Sequence, residues 1–339
     1  MSLKVSIIIP TFNRTEYLTQ AIDSALKQDY PDLEVIVCDN ASTDNTPEII
    51  KIYLNNHRFK YYRNKQNIGM VANWRKALIE HATGDYFLIL SDDDYLIDES
   101  YITKAVKLIK EFQLALVFAN GHILYADYHK VAKLALPFSD IEDGKKIFLS
   151  RGKIKPQSFI LCNVLFNRQL ALKLNAFANQ YNLSTDSELF LKMCLHGKVG
   201  IIKDFVSVYR VHDKNLLKTG KQDLNLLIKN LDAFLEPYEF ARRLNIFQDN
   251  ELAEWRRRVI LPAIRSTLIS TVANHKRIFS KTQNKLRKKY GRDFIDAQSD
   301  IKFQIRLFFA RNLPFIYLPL FRALKNLILR VTTTTVKTE

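Results

Sequence analysis

The chain has 339 residues, which allows two domains or one domain with an extension. Apolar residues make up 47% of the sequence, enough to form a sizeable hydrophobic core. The 51 Lys and Arg residues outnumber the 35 Asp and Glu residues, and the formal net charge of +16 indicates an anionic partner such as a nucleotide, a nucleic acid or a membrane surface.

The cysteines and the N-terminal residues bear on the cellular compartment. Cys38, Cys162 and Cys194 are far apart, and their spacing matches neither a metal site nor a disulfide framework. We therefore expect a reducing cytoplasm. The apolar run Val5–Ile9 is too short for a signal peptide, and no run of about 18 uncharged apolar residues predicts a transmembrane helix.

Short apolar runs alternate with segments of helical periodicity along the first 120 residues. Strands are predicted at Val5–Ile9, Val35–Cys38, Phe59–Tyr62, Tyr86–Leu90 and Leu114–Ala119. Helices are predicted from about Tyr17 to Leu26, Pro47 to Asn55, Val71 to His81 and Glu99 to Glu111. This alternation indicates an α/β fold with a mainly parallel, doubly wound sheet.

The second half of the chain is less regular. Thr185–Leu195 predicts a helix with Asp186 near its start, and Val199–Ile202 and Phe205–Val211 predict a pair of strands. From about Lys221 the sequence becomes helical and strongly basic, so we place a domain boundary near residue 218.

Three consecutive carboxylates, Asp92, Asp93 and Asp94, follow the predicted strand Tyr86–Leu90. Crowded like charges are unfavourable. Mg²⁺ or Mn²⁺ would relieve the repulsion, because these ions prefer oxygen ligands and often share them with substrate phosphates. The tripeptide alone is equally compatible with a solvated acidic turn.

Polar segments also follow the first two predicted strands, at Pro10–Arg14 and Asp39–Asp44. All three polar segments lie at carboxyl ends of strands, and therefore at one edge of the sheet, where α/β proteins of this type bind ligands. This coincidence favours a metal–diphosphate site over an acidic turn.

These motifs make the chain resemble the family 2 glycosyltransferases, the inverting GT-A enzymes that build bacterial surface polysaccharides. The matching motifs are Val5–Arg14, Asp39–Asp44, Asn67–Gly69, Gly84-Asp85, Ser91–Asp94, Thr185–Leu189 and Tyr209–His212. The resemblance implies a GT-A catalytic domain at 1–218, with a Rossmann-like nucleotide-sugar-binding half at 1–120 and an acceptor half at 121–218. A helical, basic C-terminal extension would occupy 219–339.

The resemblance also implies a reaction. A sugar would pass from a nucleotide-diphosphate sugar, with UDP expected, to a hydroxyl of a glycan or lipid-linked saccharide, with inversion and with Mn²⁺ or Mg²⁺. It implies a role in cell-surface polysaccharide biosynthesis at the inner face of the plasma membrane. A sugar nucleotidyltransferase would carry a glycine-rich phosphate loop, which Pro10–Arg14 is not. The sequence shows no nucleic-acid-binding signature, and the presence of Asp94 and Asp186 argues against an inactive scaffold.

Site residues follow from the same resemblance. Asp94, and secondly Asp92, would bind the metal, and Asp186 would be the catalytic base. Helix capping is the alternative for Asp94 and Asp186, Glu188 is the alternate base, and His212 could approach the diphosphate or the metal. The residues expected to bind the nucleotide sugar are Pro10, Thr11, Asn13, Arg14, Asp39, Asn67, Asp92 and Asp93.

Two positions depart from the pattern of the family. Ser91 stands where relatives often carry an acidic residue, and Thr185 stands where many carry Glu. For Ser42 and Asp44, turn and cap roles are as probable as binding.

The C-terminal extension is basic, with fourteen Lys or Arg and three Asp between Lys276 and Arg330. Within it, Leu313–Phe321 is apolar but too short, and too interrupted by proline, to span a bilayer. Basic residues beside apolar ones predict a segment in the membrane interface. Packing on the catalytic domain and oligomerisation through the helices are the alternatives.

Overall fold

The computed structural model of the chain describes residues 3–125, 130–133, 138–153, 160–212 and 228–313. The chain divides into two compact units. The first unit comprises Met1–Phe148, Pro156–Gln180 and Thr185–His212, and the second comprises Leu149–Lys155, Tyr181–Ser184 and Asp213–Glu339.

The first unit is an α/β structure, as predicted. Its described strands are β1 (Val5–Thr11), β2 (Leu33–Asp39), β3 (Phe59–Arg63), β4 (Tyr86–Ile89), β5 (Tyr95–Leu96), β6 (Leu116–Tyr125), β7 (Lys130–Lys133), β8 (Ile141–Asp143), β9 (Val164–Asn167) and β10 (Lys198–Val211). The described helices are α1 (Thr15–Leu26), α2 (Thr46–Ile50), α3 (Met70–Lys76), α4 (Tyr101–Phe112), α5 (Gly144–Ser150), α6 (Arg168–Lys173) and α7 (Thr185–Cys194).

All ten described strands form one sheet, whose main path runs β3-β2-β1-β4-β9-β6-β10-β5. Strands β1 to β4 are parallel, and in this register Thr11 of β1 lies opposite Asp39 of β2. Strand β9 enters antiparallel between β4 and β6, and β10 runs parallel to β6. The carboxyl ends of β1, β2 and β4 therefore meet at one edge.

The central strands of the sheet are covered on both faces, and their residues are accordingly apolar. Ile7 and Ile8 of β1, Val35 of β2 and Leu88 of β4 have no exposed surface. Continuous apolar runs of this kind are typical of buried parallel strands, which is why the sequence predicted them.

The structure corrects the prediction of paired strands at Val199–Ile202 and Phe205–Val211. Both belong to the single strand β10, which pairs with β6 along its length. The exposed residues Lys203 and Asp204 resemble a turn in sequence, but they lie where the register of β10 shifts, at a bulge.

Two helix predictions differ in their ends. The helix predicted at Pro47–Asn55 is α only as far as Ile50 and continues as a 3₁₀ turn at Lys51–Tyr53. The helix predicted at Val71–His81 ends as α at Lys76 and continues as a π turn at Ala77–His81.

The second unit is helical, as predicted. Its described helices are α8 (Asp232–Leu244), α9 (Asp249–His275), α10 (Phe279–Gln298) and α11 (Ile301–Asn312). Trp255, Leu268, Leu286 and Phe294 form part of its buried core. In the part of the chain that the structure describes, no helix has the length and apolarity needed to cross a bilayer. The apolar run Leu313–Phe321 lies outside the described residues beyond Leu313.

One buried carboxylate connects β1, β2, β3 and the segment before β4. Glu34 of β2 accepts hydrogen bonds from Ser6 Oγ at 2.6 Å, from Thr83 N at 2.8 Å and from Lys60 Nζ at 2.7 Å, and lies 3.2 Å from Lys4 Nζ. Burial alone would raise the pKa of Glu34, but the hydrogen bonds from Lys60, Ser6 and Thr83 lower it to about 2.

Glu34→Gln tests this contribution. Lowering the pKa from 4.5 to about 2 corresponds to roughly 3 kcal/mol of unfolding free energy. A lowered folded-state pKa stabilises the protein above the unfolded pKa, and this stabilisation disappears as the pH falls from about 4.5 to about 2. In urea titrations, the stability difference between wild type and Glu34→Gln should therefore shrink over that range.

The matched control is Glu48→Gln, because Glu48 pairs with Lys51 on the exposed surface. It should change stability by less than about 1 kcal/mol at any pH. A wild-type-to-Glu34→Gln difference that does not change with pH would contradict the assignment.

Candidate functional site

The loops that follow β1, β2 and β4 are joined by side-chain hydrogen bonds. Thr11 Oγ1 donates to Asp92 Oδ2 at 2.8 Å, which connects the first loop to the third. The backbone N–H of Asn13 donates to Ser42 Oγ at 3.0 Å, and Asn13 Oδ1 accepts from the N–H of Thr43 at 2.7 Å. The structure thus brings together the polar segments that the sequence placed at this edge.

The three consecutive carboxylates are almost fully buried, and basic groups surround them. Arg14 Nη1 lies 2.6 Å from Asp93 Oδ2 and 3.2 Å from Asp92 Oδ1. His212 Nε2 lies 3.0 Å from the same Asp93 oxygen. Asp94 Oδ1 accepts a hydrogen bond from the backbone N–H of Arg210 at 2.9 Å. We call Asp92, Asp93 and Asp94 the acidic triad.

The protein stabilises the charges of the acidic triad only in part. Burial, with the charge of Asp93, raises the pKa of Asp92 to about 7 even though Arg14 opposes the shift. Burial and Asp93 also raise the pKa of Asp94 well above its usual range. For Arg14, burial would lower the pKa, but Asp92 and Asp93 raise it. A further cation near Asp92 and Asp94 would therefore be electrostatically favourable.

Aromatic side chains pack against Arg210 and His212, the residues at the end of β10 that contact the acidic triad, and the sequence did not reveal these contacts. The Arg210 guanidinium lies over the rings of Tyr17, at 5.1 Å, and Tyr95, at 4.6 Å. Its Nη1 donates to the Asp93 carbonyl oxygen at 2.7 Å. The Tyr17 ring also stacks on His212, with the ring centroids 5.3 Å apart.

Asp39 is fully buried at the end of β2. Its Oδ1 accepts from the N–H of Ser42 at 2.8 Å, and its Oδ2 accepts from Tyr61 Oη at 2.7 Å. Arg63 Nε lies 3.4 Å from Asp39 Oδ2. Tyr61 and Arg63 belong to β3, and their contacts with Asp39 were not predictable from the sequence, because both face this loop only once β3 pairs with β2.

Asn67 lies on the exposed loop before α3. Its Oδ1 accepts from Asn40 Nδ2 at 2.8 Å and from the N–H of Gly69 at 2.9 Å. Gly69 precedes α3 with a φ of 89°, which favours glycine. Pro10 is half-buried in β1.

The structure shows whether Asp94 and Asp44 cap helices or stabilise turns. Helix α4 begins at Tyr101 after Ser100, so Asp94 is not its N-cap. Asp44 accepts from Thr46 Oγ1 at 2.6 Å and from the N–H of Thr15 at 3.2 Å, which are local turn and helix-start contacts.

Asp186 lies half-buried in the first turn of α7. Burial raises the pKa of Tyr209 in β10, and the negative charges of Asp94, Asp93 and Asp186 raise it further. Glu188 instead pairs with Lys192 Nζ at 2.5 Å within α7.

Among the described residues, no group of three or more His, Cys, Asp or Glu side chains has the arrangement of a complete metal site. Mg²⁺ commonly uses one or two carboxylates and completes its coordination with water and substrate phosphates. Asp92 and Asp94, with their raised pKa values, fit the protein part of such a site.

Comparison with known proteins identifies the family. The model of the family described as "Glycosyl transferase family 2" matches residues 6–168, which contain β1 after its first residue, β2 to β4 and the whole acidic triad. The chain contains a glycosyltransferase family 2 domain at residues 6–168. Its predicted family is thereby confirmed.

Two curated relatives illustrate the extent of the sequence similarity. An uncharacterized glycosyltransferase of Rickettsia conorii is 26% identical over 247 residues, which cover 69% of this chain and 38% of the relative. The poly(ribitol-phosphate) beta-N-acetylglucosaminyltransferase TarS of Staphylococcus aureus is 35% identical over 100 residues, which cover 29% of this chain and 18% of TarS. The chain thus matches less than two thirds of the length of these relatives.

Solved structures extend the similarity to the fold. A structure of S. aureus TarS 1-349 in complex with UDP-GlcNAc matches with a TM-score of 0.56 and 16% identity, over 85% of this chain and 92% of that chain. The mannosyltransferase PcManGT from Pyrobaculum calidifontis, in complex with GDP-Man and Mn²⁺, matches with a TM-score of 0.50 and 18% identity, over 92% and 87% of the two chains. These matches confirm the predicted GT-A fold.

Arg14→Gln tests the balance of charge in the triad. It removes a partly buried guanidinium from Asp92 and Asp93, and we expect the unfolding free energy at pH 8 to fall by about 2 to 3 kcal/mol. The loss should be smaller at pH 6, because protonation removes the unpaired charge. Chemical denaturation of wild type and variant at both pH values measures this loss of unfolding free energy.

Two variants serve as controls. Arg14→Lys keeps the positive charge and should retain part of the stability. Arg242→Gln removes an exposed guanidinium, 3.2 Å from Glu239 in the second unit, and should cost less than about 1 kcal/mol. If Arg14→Gln is as stable as wild type at pH 8, the proposed charge balance is wrong.

Proposed function

We propose that this protein transfers a sugar from a nucleotide-diphosphate sugar, with a UDP-sugar as the expected donor, to a hydroxyl of a glycan or lipid-linked saccharide. The observation that carries the proposal is the buried acidic triad at the carboxyl edge of the sheet of a family 2 domain. The complexes of TarS with UDP-GlcNAc and of PcManGT with GDP-Man support a donor of this class. We assign the reaction to the synthesis of cell-surface polysaccharide in the cytoplasm.

The donor would lie along the loops after β1, β2 and β4. Asp39 is the proposed acceptor for hydrogen bonds from the base or the ribose, near Pro10, Thr11 and Asn13. Arg14 already faces two carboxylates, and its fixed positive charge would attract the diphosphate. We assign Asn67 and Asp93 to the same donor site.

Asp94 and Asp92 are the proposed ligands of Mn²⁺ or Mg²⁺. Such an ion, when bound, offsets the negative charge that develops on the leaving nucleoside diphosphate. The raised pKa values of both carboxyl groups support this assignment, and so does the Mn²⁺ in the PcManGT complex. We propose that Arg210, in β10, and His212, directly after it, orient Asp94 and Asp93.

Asp186 is the proposed catalytic base. The acceptor oxygen attacks the anomeric carbon, and its proton passes to the Asp186 carboxylate. The bond from the anomeric carbon to the diphosphate oxygen breaks, and the nucleoside diphosphate leaves with the electron pair. A single displacement of this kind inverts the anomeric centre. The proposed catalytic domain is residues 1–218, with the donor half at 1–120 and the acceptor half at 121–218.

Asp94→Ala tests the donor site. It should weaken the binding of UDP-sugars in the presence of Mn²⁺, as measured by calorimetry, and should leave the circular dichroism spectrum unchanged. EDTA should weaken donor binding to wild type in the same way. If EDTA has no effect on wild type and Asp94→Ala binds normally, the metal assignment is wrong.

Asp186→Asn tests the base. Donor affinity should be retained while turnover falls by at least about 100-fold, which is the usual scale for loss of a general base. The matched control is Glu188→Gln on the same helix, where the ion pair to Lys192 is lost but turnover should persist. Normal turnover of Asp186→Asn would move the role elsewhere, and donor binding without any turnover of wild type would favour an inactive scaffold.

A further inference from the structure

Helix α11 is apolar on two opposite sides. Phe303, Leu307 and Ala310 are buried within the helical unit. The opposite side carries a row of large apolar side chains spaced three or four residues apart, with exposed fractions of 42 to 75%: Ile301, Ile305, Phe308 and Phe309. We call these four residues the α11 apolar row. Large exposed apolar side chains that adjoin one another in this way are typical of an interaction surface.

Basic residues border the α11 apolar row on both sides. With about 100° of rotation between successive residues, Lys302 and Arg306 lie on one side of the row and Arg311 lies on the other. All three are exposed, and α11 contains no Asp or Glu.

The nearby carboxylates are directed away from this surface, toward α9. Asp293 and Asp296 pair with Arg256, and Asp300 lies 2.9 Å from Arg265 Nη1. Asp300 also caps α11 by accepting from the N–H of Phe303 at 3.0 Å. The acidic groups around the start of α11 are thus engaged by arginines of the same unit, and the side of α11 that carries the row is basic and apolar.

We propose that the α11 apolar row docks on an anionic phospholipid bilayer. The helix would lie in the plane of the interface, with the four apolar side chains at the boundary of the acyl chains and Lys302, Arg306 and Arg311 at the headgroup phosphates. A helix of twelve residues is about 18 Å long, too short to span a bilayer, so it binds along the surface.

Charge complementarity favours lipid over the other occupants of this surface. In a symmetric dimer, the same basic borders would face one another, which is unfavourable without acidic partners. The segment of this chain after Leu313 is another candidate occupant. It contains one acidic residue, Glu339, and four basic ones, so it too supplies little negative charge for the basic borders of the row: Arg322, Lys325, Arg330 and Lys337. The proposal concerns the helical unit alone and does not depend on the proposed transferase activity.

Vesicle co-sedimentation of the full chain tests the proposal. Wild type should bind phosphatidylcholine vesicles that contain about one quarter phosphatidylglycerol far better than pure phosphatidylcholine vesicles, and salt should weaken binding. Ile305→Asp/Phe308→Asp should lose at least about tenfold in partitioning, because two apolar anchors are replaced by charges. The matched control is Ile52→Asp/Ile79→Asp, at exposed positions in the first unit, which should bind as wild type does.

The charge variant Lys302→Gln/Arg306→Gln leaves the α11 apolar row unchanged, so any loss of vesicle binding reports on the two basic residues. Each lost basic residue should reduce partitioning to anionic vesicles about fivefold. Lys107→Gln/Lys110→Gln, exposed on α4, is its control and should have little effect. Thermal melting checks that each variant is folded.

Three results would overturn the proposal. The first is equal binding of wild type and both α11 variants to anionic vesicles. The second is no binding of wild type. The third is a wild-type dimer in light scattering that Ile305→Asp/Phe308→Asp converts to monomer, since this would assign the row to a second copy of the chain.

Discussion

The candidate site depends on one electrostatic constraint: three adjacent carboxylates are buried together and must be stabilised. Arg14 and His212 both approach Asp93, while the backbone N–H of Arg210 approaches Asp94. These contacts connect the loop after β1, the loop after β4 and the end of β10, and the paired residues lie 79 to 119 positions apart in sequence. The raised pKa values of Asp92 and Asp94 indicate that the compensation is incomplete. An additional cation near Asp92 and Asp94 would therefore be electrostatically favourable.

The sheet of the first unit positions the residues that surround the acidic triad. Parallel pairing of β1 with β2 and β4 brings three polar loops to one edge. At the other end of the same strands, Glu34 is satisfied by Ser6, Lys60 and Thr83, so a second buried charge is fully compensated. The contrast between the two ends is informative, because a fully paired carboxylate serves stability, whereas a partly compensated one is typical of ligand binding.

The sequence predicted those features that depend on local pattern. The apolar runs of β1, β2 and β4 are recognisable because both faces of these strands are buried, and the acidic triad stands out at the end of such a run. The antiparallel entry of β9 was not predictable, since Phe166 pairs with both Phe87 and Leu116, far apart in sequence. The contacts of Tyr17 and Tyr95 with Arg210 depend on the same long-range pairing. Helix α11 is apolar on both sides, so its periodicity did not show which side is buried.

The most direct test of the proposed donor site is a crystal structure of the full chain with a UDP-sugar and Mn²⁺, using the anomalous signal of manganese. We predict a manganese peak in contact with the carboxylate of Asp94 or Asp92 and with the diphosphate of the nucleotide, and the base beside Asp39. Nucleotide bound at this edge without manganese near either carboxylate would contradict the metal assignment. Nucleotide bound away from the acidic triad would contradict the proposed site as a whole.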